Sequence, residues 1–244
     1  MPFVTPHRPR TPRDARLVSR QLAAALAVLG GTTAAAQVTP VDEGSFTVTR
    51  GAASLGSEEF RIVRQSGGGA AYVARATAAY GDRRVSPILQ TDADGLPVRY
   101  QVEVRRGGLV EERVSGQAAG AHFRAQTQGD AGEAAREFLL APGMVLLDAD
   151  LYHQYYFLVR RADAAGASTR VPILSPQRGH QTPLSVTHAG AERVTVGGET
   201  VAARHYVVTG AAGRRDVWTD EQGRVLRVVV PADGVEAVRS AVPR

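Results

Sequence analysis

The chain has 244 residues, of which 29 are basic and 24 are acidic, and it contains no cysteine. The lack of cysteine excludes disulfides and thiolate chemistry. The first 36 residues hold five arginines and one aspartate, which leaves 24 basic and 23 acidic residues in the other 208. Arginine is scattered among the acidic residues along that part and forms no basic patch of the kind nucleic-acid binders use, so we expect no nucleic-acid partner.

Residues 1–36 have the order of segments found in a secretory signal peptide. Arginines come first, an apolar run follows from Leu22 to Leu29, and Ala34-Ala35-Ala36 resembles a small-residue cleavage site. The run is too short to be a transmembrane segment, which needs roughly 20 apolar residues. The sequence therefore predicts cleavage before Gln37 and a mature protein in the periplasm or outside the cell. A basic tail with a short helix is the alternative.

Alternation of apolar and polar residues dominates after Gln37. Val98, Tyr100, Val102 and Val104 are apolar, and the residues between them are polar. A period of two is typical of a strand with one buried face, and one wet face is typical of antiparallel sheets. The pattern predicts a mainly β fold for residues 37–244, built as a single domain of meander hairpins.

The predicted hairpins turn at segments rich in glycine and aspartate. Residues Thr91–Val102 and Thr219–Val230 match each other at five positions, with aspartate first and glycine fourth in the turn. This order suits a tight turn that closes on glycine. The match is either a chance similarity of common turns or a sign that each half of the domain contains an equivalent hairpin.

One segment departs from this period. From Asp148 to Arg160, Leu151, Tyr155 and Leu158 are spaced by four and then three residues, which is the spacing of a helix. Asp148 is a suitable N-cap, and an aspartate at 150 is favourable in a first turn. The sequence predicts one central helix over residues 148–160, packed on the sheet.

The same segment holds the densest group of chemically active side chains. Asp148, Asp150 and His153 offer oxygen and nitrogen ligands within six positions, as a metal-dependent enzyme or hydrolase requires. A structural role for all three is the competing interpretation, with the aspartates capping the helix and His153 on its surface. Because the usual hydrolase and nucleotide-binding motifs are absent, we expect no enzyme, no cofactor and no metal.

Three segments carry a resemblance to a known group of proteins: Gly44–Ile62, Thr91–Tyr100 and Asp216–Leu226. They look like an uncharacterised family of secreted bacterial proteins that is similar to the lipoprotein-carrier (LolA/LolB-like) superfamily. The resemblance implies a strongly curved antiparallel sheet, a half-barrel, with an apolar cavity on its concave face under a helical cover. This chain differs from the carriers in having one predicted helix where they have several.

Three functions follow as hypotheses. The first is a non-enzymatic envelope protein that binds an apolar ligand, such as a lipid or lipoprotein acyl chain, or an envelope partner. The second is an envelope hydrolase or metal-dependent enzyme built on Asp148, Asp150 and His153, and the third is an assembly factor without a small ligand. For the first, the predicted lining residues are Tyr100, Val102, Leu151, Tyr155 and Trp218. The sequence does not indicate an oligomeric state.

Overall fold

The computed structural model describes residues 37–66, 70–130 and 132–244, and Ala36–Arg244 form one compact unit. The predicted signal peptide, residues 1–36, lies outside the described residues. Fifteen strands are found in the described part: β1 (Gln37–Arg50), β2 (Ala53–Ser66), β3 (Tyr72–Tyr80), β4 (Arg83–Thr91), β5 (Pro97–Arg106), β6 (Leu109–Ala119), β7 (His122–Gly129), β8 (Gly132–Leu139), β9 (Val145–Leu146), β10 (Ser168–Ser175), β11 (His180–Val196), β12 (Glu199–Gly210), β13 (Gly213–Thr219), β14 (Val225–Val230) and β15 (Val235–Arg239).

All fifteen strands belong to one sheet, which consists of two meanders. One meander runs outward from β1 to β8, and the other runs outward from β15 to β10, with β9 at its far end. The two meet where β1 pairs with β15 in antiparallel register, with Val48 opposite Ala237. The β9–β10 pair is parallel, and the others are antiparallel. The sheet does not close into a barrel.

A single α-helix of the described residues, α1 (Tyr155–Ala165), continues a 3-10 turn at Tyr152–Gln154 and lies against one face of the sheet. Both meanders contact it. Phe157 packs edge-on against Tyr72 of β3, with ring centroids 6.2 Å apart. On the other side, the Tyr206 hydroxyl of β12 donates a hydrogen bond to Asp163 at 2.6 Å. Because strands from opposite halves reach the same short helix, the sheet curves around it, which confirms the predicted fold.

The predicted alternation is present in β5. Tyr100, Val102 and Val104 are buried, whereas Arg99 and Gln101 are exposed. The inward-facing residues of both meanders and the helix together form one apolar core. In the second meander the outer face also carries a smaller cluster, formed by Val194, Val196, Ala203, Trp218 and Leu226.

The two matching turns have the same geometry. Asp92 accepts hydrogen bonds through Oδ1 from the backbone N–H groups of Asp94 and Leu96, each at 2.9 Å. Asp220 accepts the equivalent pair from Gln222 and Arg224, at 3.0 and 2.8 Å. One turn joins β4 to β5 and the other joins β13 to β14, so each meander contains one copy. The hypothesis of equivalent hairpins is confirmed.

A helix is present as predicted, but it starts later along the chain than predicted. Helical structure begins at Tyr152 and ends at Ala165, not at residues 148 and 160. Asp148 is therefore not an N-cap, and Asp150 precedes the first turn with a left-handed φ of 62°. The side chains of the capping positions make no cap hydrogen bond. In the part of the chain described, no helix is long and apolar enough to cross a membrane.

Candidate ligand-binding site

The start of the helical segment is held by a carboxylate from a distant strand. Glu58 of β2 accepts hydrogen bonds from the backbone N–H groups of Tyr152 at 2.6 Å and His153 at 2.9 Å. It also lies 2.6 Å from His153 Nδ1, and both side chains are 0% exposed. An acidic group at this end of a helix satisfies free N–H groups and favours the helix dipole. Glu58 therefore supplies the cap that was assigned to Asp148.

Asp148 has a different role beside this segment. Its backbone N–H donates to Gln154 Oε1 at 2.7 Å, and its Oδ1 accepts a hydrogen bond from Ser175 Oγ at 2.5 Å. The residue is 2% exposed. Burial raises the pKa of Asp148 to about 6, although the Ser175 hydrogen bond opposes the rise. Asp148 is thus a buried carboxyl group whose pKa lies well above that of an exposed aspartate.

Three buried polar atoms around Asp148 have no hydrogen-bond partner: Tyr100 hydroxyl oxygen, Asp148 Oδ2 and Gln154 Nε2. Burial raises the pKa of Tyr100 well above its ordinary value, and the nearby Asp148 carboxylate adds to this effect. All three atoms are closed to solvent, and the side chains of Tyr100 and Gln154 lie beside Asp148 in the interior. Asp148 also lines a pocket.

The pocket, which we call the helix-start pocket, lies between residues 147–155 and strands β10, β11 and β13, and it has a volume of about 100 Å³. Its apolar floor consists of Leu147, Ile173, Leu184 and Val230. Tyr152 and Tyr155 form one wall. Burial raises the pKa of Tyr155 to about 12, with Arg215 and Arg178 opposing the rise.

Charged side chains of both signs surround this floor: Asp148, Asp150, Asp233, Arg178, His180 and Arg215. Asp150 has a distant partner outside the pocket, Arg83, at 3.9 Å. Within the described residues, neither Arg178 nor Arg215 has an ion-pair or hydrogen-bond partner for its side chain. The pocket is therefore lined by both apolar and charged side chains.

A larger cleft, of about 430 Å³, lies beside the C-terminal residues. Its buried charges already satisfy each other, because Arg239 donates to both carboxylate oxygens of Asp42, at 3.0 and 2.7 Å. Arg224, also at this cleft, pairs with Asp220 at 2.7 Å. The helix-start pocket is the better candidate because apolar and charged side chains line it together.

The predicted lining residues separate into two faces of the sheet. Tyr100, Val102, Leu151 and Tyr155 are buried, and of these only Tyr155 lines the helix-start pocket. Trp218 lies on the outer face, where His205 stacks on it with ring centroids 4.6 Å apart. Val217 takes the inward position on the same strand. The inward-facing buried side chains belong to the apolar core shared by the sheet and the helix.

The predicted metal ligands do not converge. Asp148 faces Ser175, His153 faces Glu58, and Asp150 is at the surface near Arg83. His153 is buried, although a surface position was predicted for it. Among the described residues, no group of three His, Asp or Glu side chains is placed to hold a metal ion. The arrangement offers no support for an enzyme built on these three residues.

Glu58, Arg178 and Arg215 were missed by reasoning from the sequence. One signal for Glu58 was present, because it shares the parity of Phe60 and Ile62, which face inward on β2. A carboxylate in register with two core residues must find buried partners. For Arg178 and Arg215 the sequence contains no local signal, since they come from different hairpins that only the folded sheet brings to one pocket.

The buried state of Asp148 predicts a characteristic pH dependence of stability. Its pKa is about 6 in the folded protein and ordinarily 3.8, so between these values the folded state binds a proton that the unfolded state does not. Stability from this group is therefore lost as pH rises from 4 to 6, by up to ~3 kcal/mol. Between pH 4 and pH 7, the free energy of unfolding of Asp148→Asn should rise relative to that of the wild type by about that amount. Urea unfolding at several pH values measures this difference.

The control for this experiment is Asp94→Asn, in an exposed turn. Its difference from the wild type should stay constant over the same pH range. If Asp148→Asn also differs from the wild type by a constant amount, Asp148 does not titrate in this window, and the proposed interior carboxylate is wrong.

Comparison with known proteins gives a family and two similar structures. Residues 98–241 match the model of a family described as a domain of unknown function, DUF6134. A β-barrel-like protein of the domain of unknown function DUF1849 from Brucella abortus has a TM-score of 0.51 and 9% identity, covering 85% of this chain and 98% of that chain. A DUF1089 family protein from Pseudomonas aeruginosa has a TM-score of 0.41 and 17% identity, covering 69% and 87%.

No curated protein sequence matches this chain. At 9% identity, the likeness to the DUF1849 protein concerns the fold alone. Neither the family description nor these two structures connects the chain with lipoprotein carriers. That resemblance remains a prediction.

Proposed function

We propose a non-enzymatic binding role for this chain, which belongs to the DUF6134 family of domains of unknown function. The ligand is a small molecule with an apolar part, and it binds in the helix-start pocket. The observation that carries this proposal is the pocket itself, which apolar and charged side chains line together.

The size of the pocket narrows the ligand. A protein cavity of ~150 Å³ binds benzene, and this pocket measures about 100 Å³. It accommodates a short alkyl group, while the rest of the ligand extends toward the rim. A pocket of this volume takes only part of a long acyl chain.

The side chains with catalytic potential support binding over catalysis. His153 and Glu58 pair with each other in the interior, and His153 Nε2 is buried without a partner. A general base must reach the proton that it removes, and neither residue lines the helix-start pocket. Of the three buried residues Glu58, His153 and Asp148, only Asp148 lines the helix-start pocket.

Export belongs to the same proposal. The small-residue stop at Ala34–Ala36 directly precedes Gln37, where β1 begins. Removal of residues 1–36 would therefore leave the sheet intact. Intact-mass analysis of the protein recovered from a bacterial periplasm or culture medium should give a chain that starts at Gln37. A chain found only with its first 36 residues, in the cytoplasm, would contradict export.

Binding is tested with neutral probes, the n-alkanols from butanol to octanol. Burial of four CH₂ groups contributes about 3 kcal/mol, so we expect dissociation constants in the millimolar range, with affinity levelling off once the pocket is full. Titration followed by NMR chemical shifts measures this. Trp218 fluorescence is unsuitable because Trp218 lies on the opposite face of the sheet.

Two alanines in one exposed turn supply a matched pair of variants. Ala212 lines the pocket and Ala211 does not. Ala212→Trp places a large side chain over the pocket and should weaken alkanol binding at least tenfold, whereas Ala211→Trp should leave it unchanged. Equal affinities in both variants, or no saturable binding of any alkanol to the wild type, would refute the proposed site.

A further inference from the structure

The far end of the β11–β12 hairpin, residues 190–203, folds back over the outer face of the second meander, and we call it the arm. In the sheet two strands separate β11 from β14, yet β11 and β14 are in contact. Val194 and Val196 of the arm pack there with Trp218 of β13 and Leu226 of β14. The arm therefore covers an apolar patch that the outer face would otherwise expose to water.

The arm leaves the sheet at a bend. The register between β11 and β12 shifts between His188 and Gly190, as in a β-bulge. Gly190 has a φ of 124°, in the region that favours glycine. Beyond the bend the two strands stay paired as far as Val196 and Glu199. The arm is thus a two-stranded unit that joins the rest of the sheet at one bend.

A histidine links the arm to the sheet. His205 of β12 is 7% exposed. Its Nδ1 lies 2.8 Å from Oε1 of Glu192 in the arm, and its Nε2 lies 2.8 Å from Oδ1 of Asp216 in β13. A neutral imidazole has one N–H and one lone pair, so it donates to only one of two carboxylates. The charged imidazolium donates to both, and this geometry fits that form.

Both acidic partners of His205 are held in their ionised form by other donors. Arg214 donates to the two oxygens of Asp216, at 2.9 and 2.6 Å, and this contact is the main reason that the pKa of Asp216 lies below its usual range. Trp218 Nε1 donates to Glu192 Oε2 at 2.8 Å, which is the main reason that the pKa of Glu192 is lowered. Near neutral pH, His205 is therefore the member of this group that changes charge.

Trp218 lies between His205 and a second cation. His205, Trp218 and Arg227 are opposite one another on β12, β13 and β14. The imidazole stacks on the indole with ring centroids 4.6 Å apart, and Arg227 Cζ lies 4.8 Å from the indole centroid. Glu236 of β15 pairs with Arg227 at 2.6 Å. Trp218 is the single tryptophan of the chain, so its fluorescence reports on this stack.

We propose that His205 is a pH-sensitive clamp, which holds the arm against the sheet while the imidazole is charged and loosens it when the proton is lost. On deprotonation, one ring nitrogen presents a lone pair to a carboxylate oxygen, and that contact changes from attractive to repulsive. The attachment of the arm therefore weakens as pH rises. Opening of the arm exposes the apolar patch around Trp218 and Leu226. The clamp lies on the outer face and does not depend on a ligand in the helix-start pocket.

The fluorescence of Trp218 tests the change of charge, because a protonated imidazole quenches an indole that it contacts. Between about pH 5.5 and pH 8.5, the emission of the wild type should become stronger as the imidazolium loses its proton. It should also move to longer wavelength as water reaches Trp218. His205→Gln should abolish both changes. His188→Gln is the control and should keep them, because His188 lies at the bend and packs against Tyr206.

A second variant keeps the test decisive if His205→Gln does not fold. The side chain of Glu192 is 49% exposed, so Glu192→Gln is expected to fold. It removes one of the two carboxylates that favour the imidazolium, and the fluorescence change should then occur at a pH lower by about one unit or more. Glu199→Gln, at an exposed position of the arm, should leave that pH unchanged.

Hydrogen exchange measures the arm itself. An isolated two-stranded hairpin is marginally stable, so the amides of residues 191–203 should exchange faster once the arm leaves the sheet. After correction for the intrinsic effect of pH, we expect exchange there to be about tenfold faster at the higher pH, the effect of losing one charge-assisted hydrogen bond. The amides of β5 serve as the internal control and should show no such change.

A fluorescence change together with faster exchange in the arm, both absent from His205→Gln, supports the clamp. A fluorescence change without faster exchange in the arm overturns it, because His205 then changes charge without holding the arm. The clamp is also wrong if the wild-type fluorescence is constant over this pH range, if the change persists in His205→Gln, or if Glu192→Gln does not move it.

Discussion

Replacing Glu58 with alanine is expected to lower the free energy of unfolding by about 4 kcal/mol. The substitution leaves three buried donors without an acceptor, namely the backbone N–H groups of Tyr152 and His153 and the ring of His153. Each unsatisfied buried donor costs about 1–3 kcal/mol. The loss also removes the acidic group at the start of the helical segment, so α1 should lose order together with the sheet that curves around it.

Glu58→Gln separates hydrogen bonding from shape and charge. Glutamine keeps one acceptor oxygen but turns an NH₂ group toward a backbone N–H, so an intermediate loss of about 2 kcal/mol is expected. Glu59→Ala is the matched control, because Glu59 is the next residue on β2 and is exposed. Urea unfolding measures all three. If Glu58→Ala unfolds like Glu59→Ala, Glu58 does not cap the helix start.

Replacing Arg239 with alanine is expected to cost about 4 kcal/mol as well, for a different reason. Arg239 of β15 pairs with Asp42 of β1, with a shortest N–O distance of 2.7 Å and both side chains at most 3% exposed. It also donates to the backbone carbonyls of Glu43 and Val225. Removing it leaves a buried carboxylate uncompensated at the strand pair that joins the two meanders.

A double-mutant cycle tests the origin of that cost. The double variant with Asp42→Ala and Arg239→Ala should lose less than the sum of the single losses, because it leaves no isolated buried charge. Glu43→Ala breaks the neighbouring pair with Arg61, whose side chains are 59% and 65% exposed. Such exposed pairs contribute about 0–1 kcal/mol. Additive losses in the double variant would show that Asp42 and Arg239 stabilise the fold independently.

Features that depend on residues close together in the sequence were predicted correctly, whereas features that depend on distant residues were not. The alternation around Tyr100 predicted β5, and the turns at Asp92 and Asp220 predicted two equivalent hairpins, because each depends on residues within about ten positions. The predicted start of the helix was wrong because Glu58, which caps the helical segment, is 94 residues away from Tyr152 in the sequence. A local search for an N-cap chose Asp148, which instead pairs with Ser175 across the interior.

The sequence by itself determined the strands, their turns and the presence of one helix, since side-chain period and turn chemistry are local properties. Only the tertiary structure decided that β1 pairs with β15, and that Val217 faces the core while Trp218 faces outward. Adjacent apolar residues on a strand leave the choice of face open until another element covers one side. The same holds for the helix-start pocket, whose charges come from separate hairpins and meet only when the sheet curves around α1.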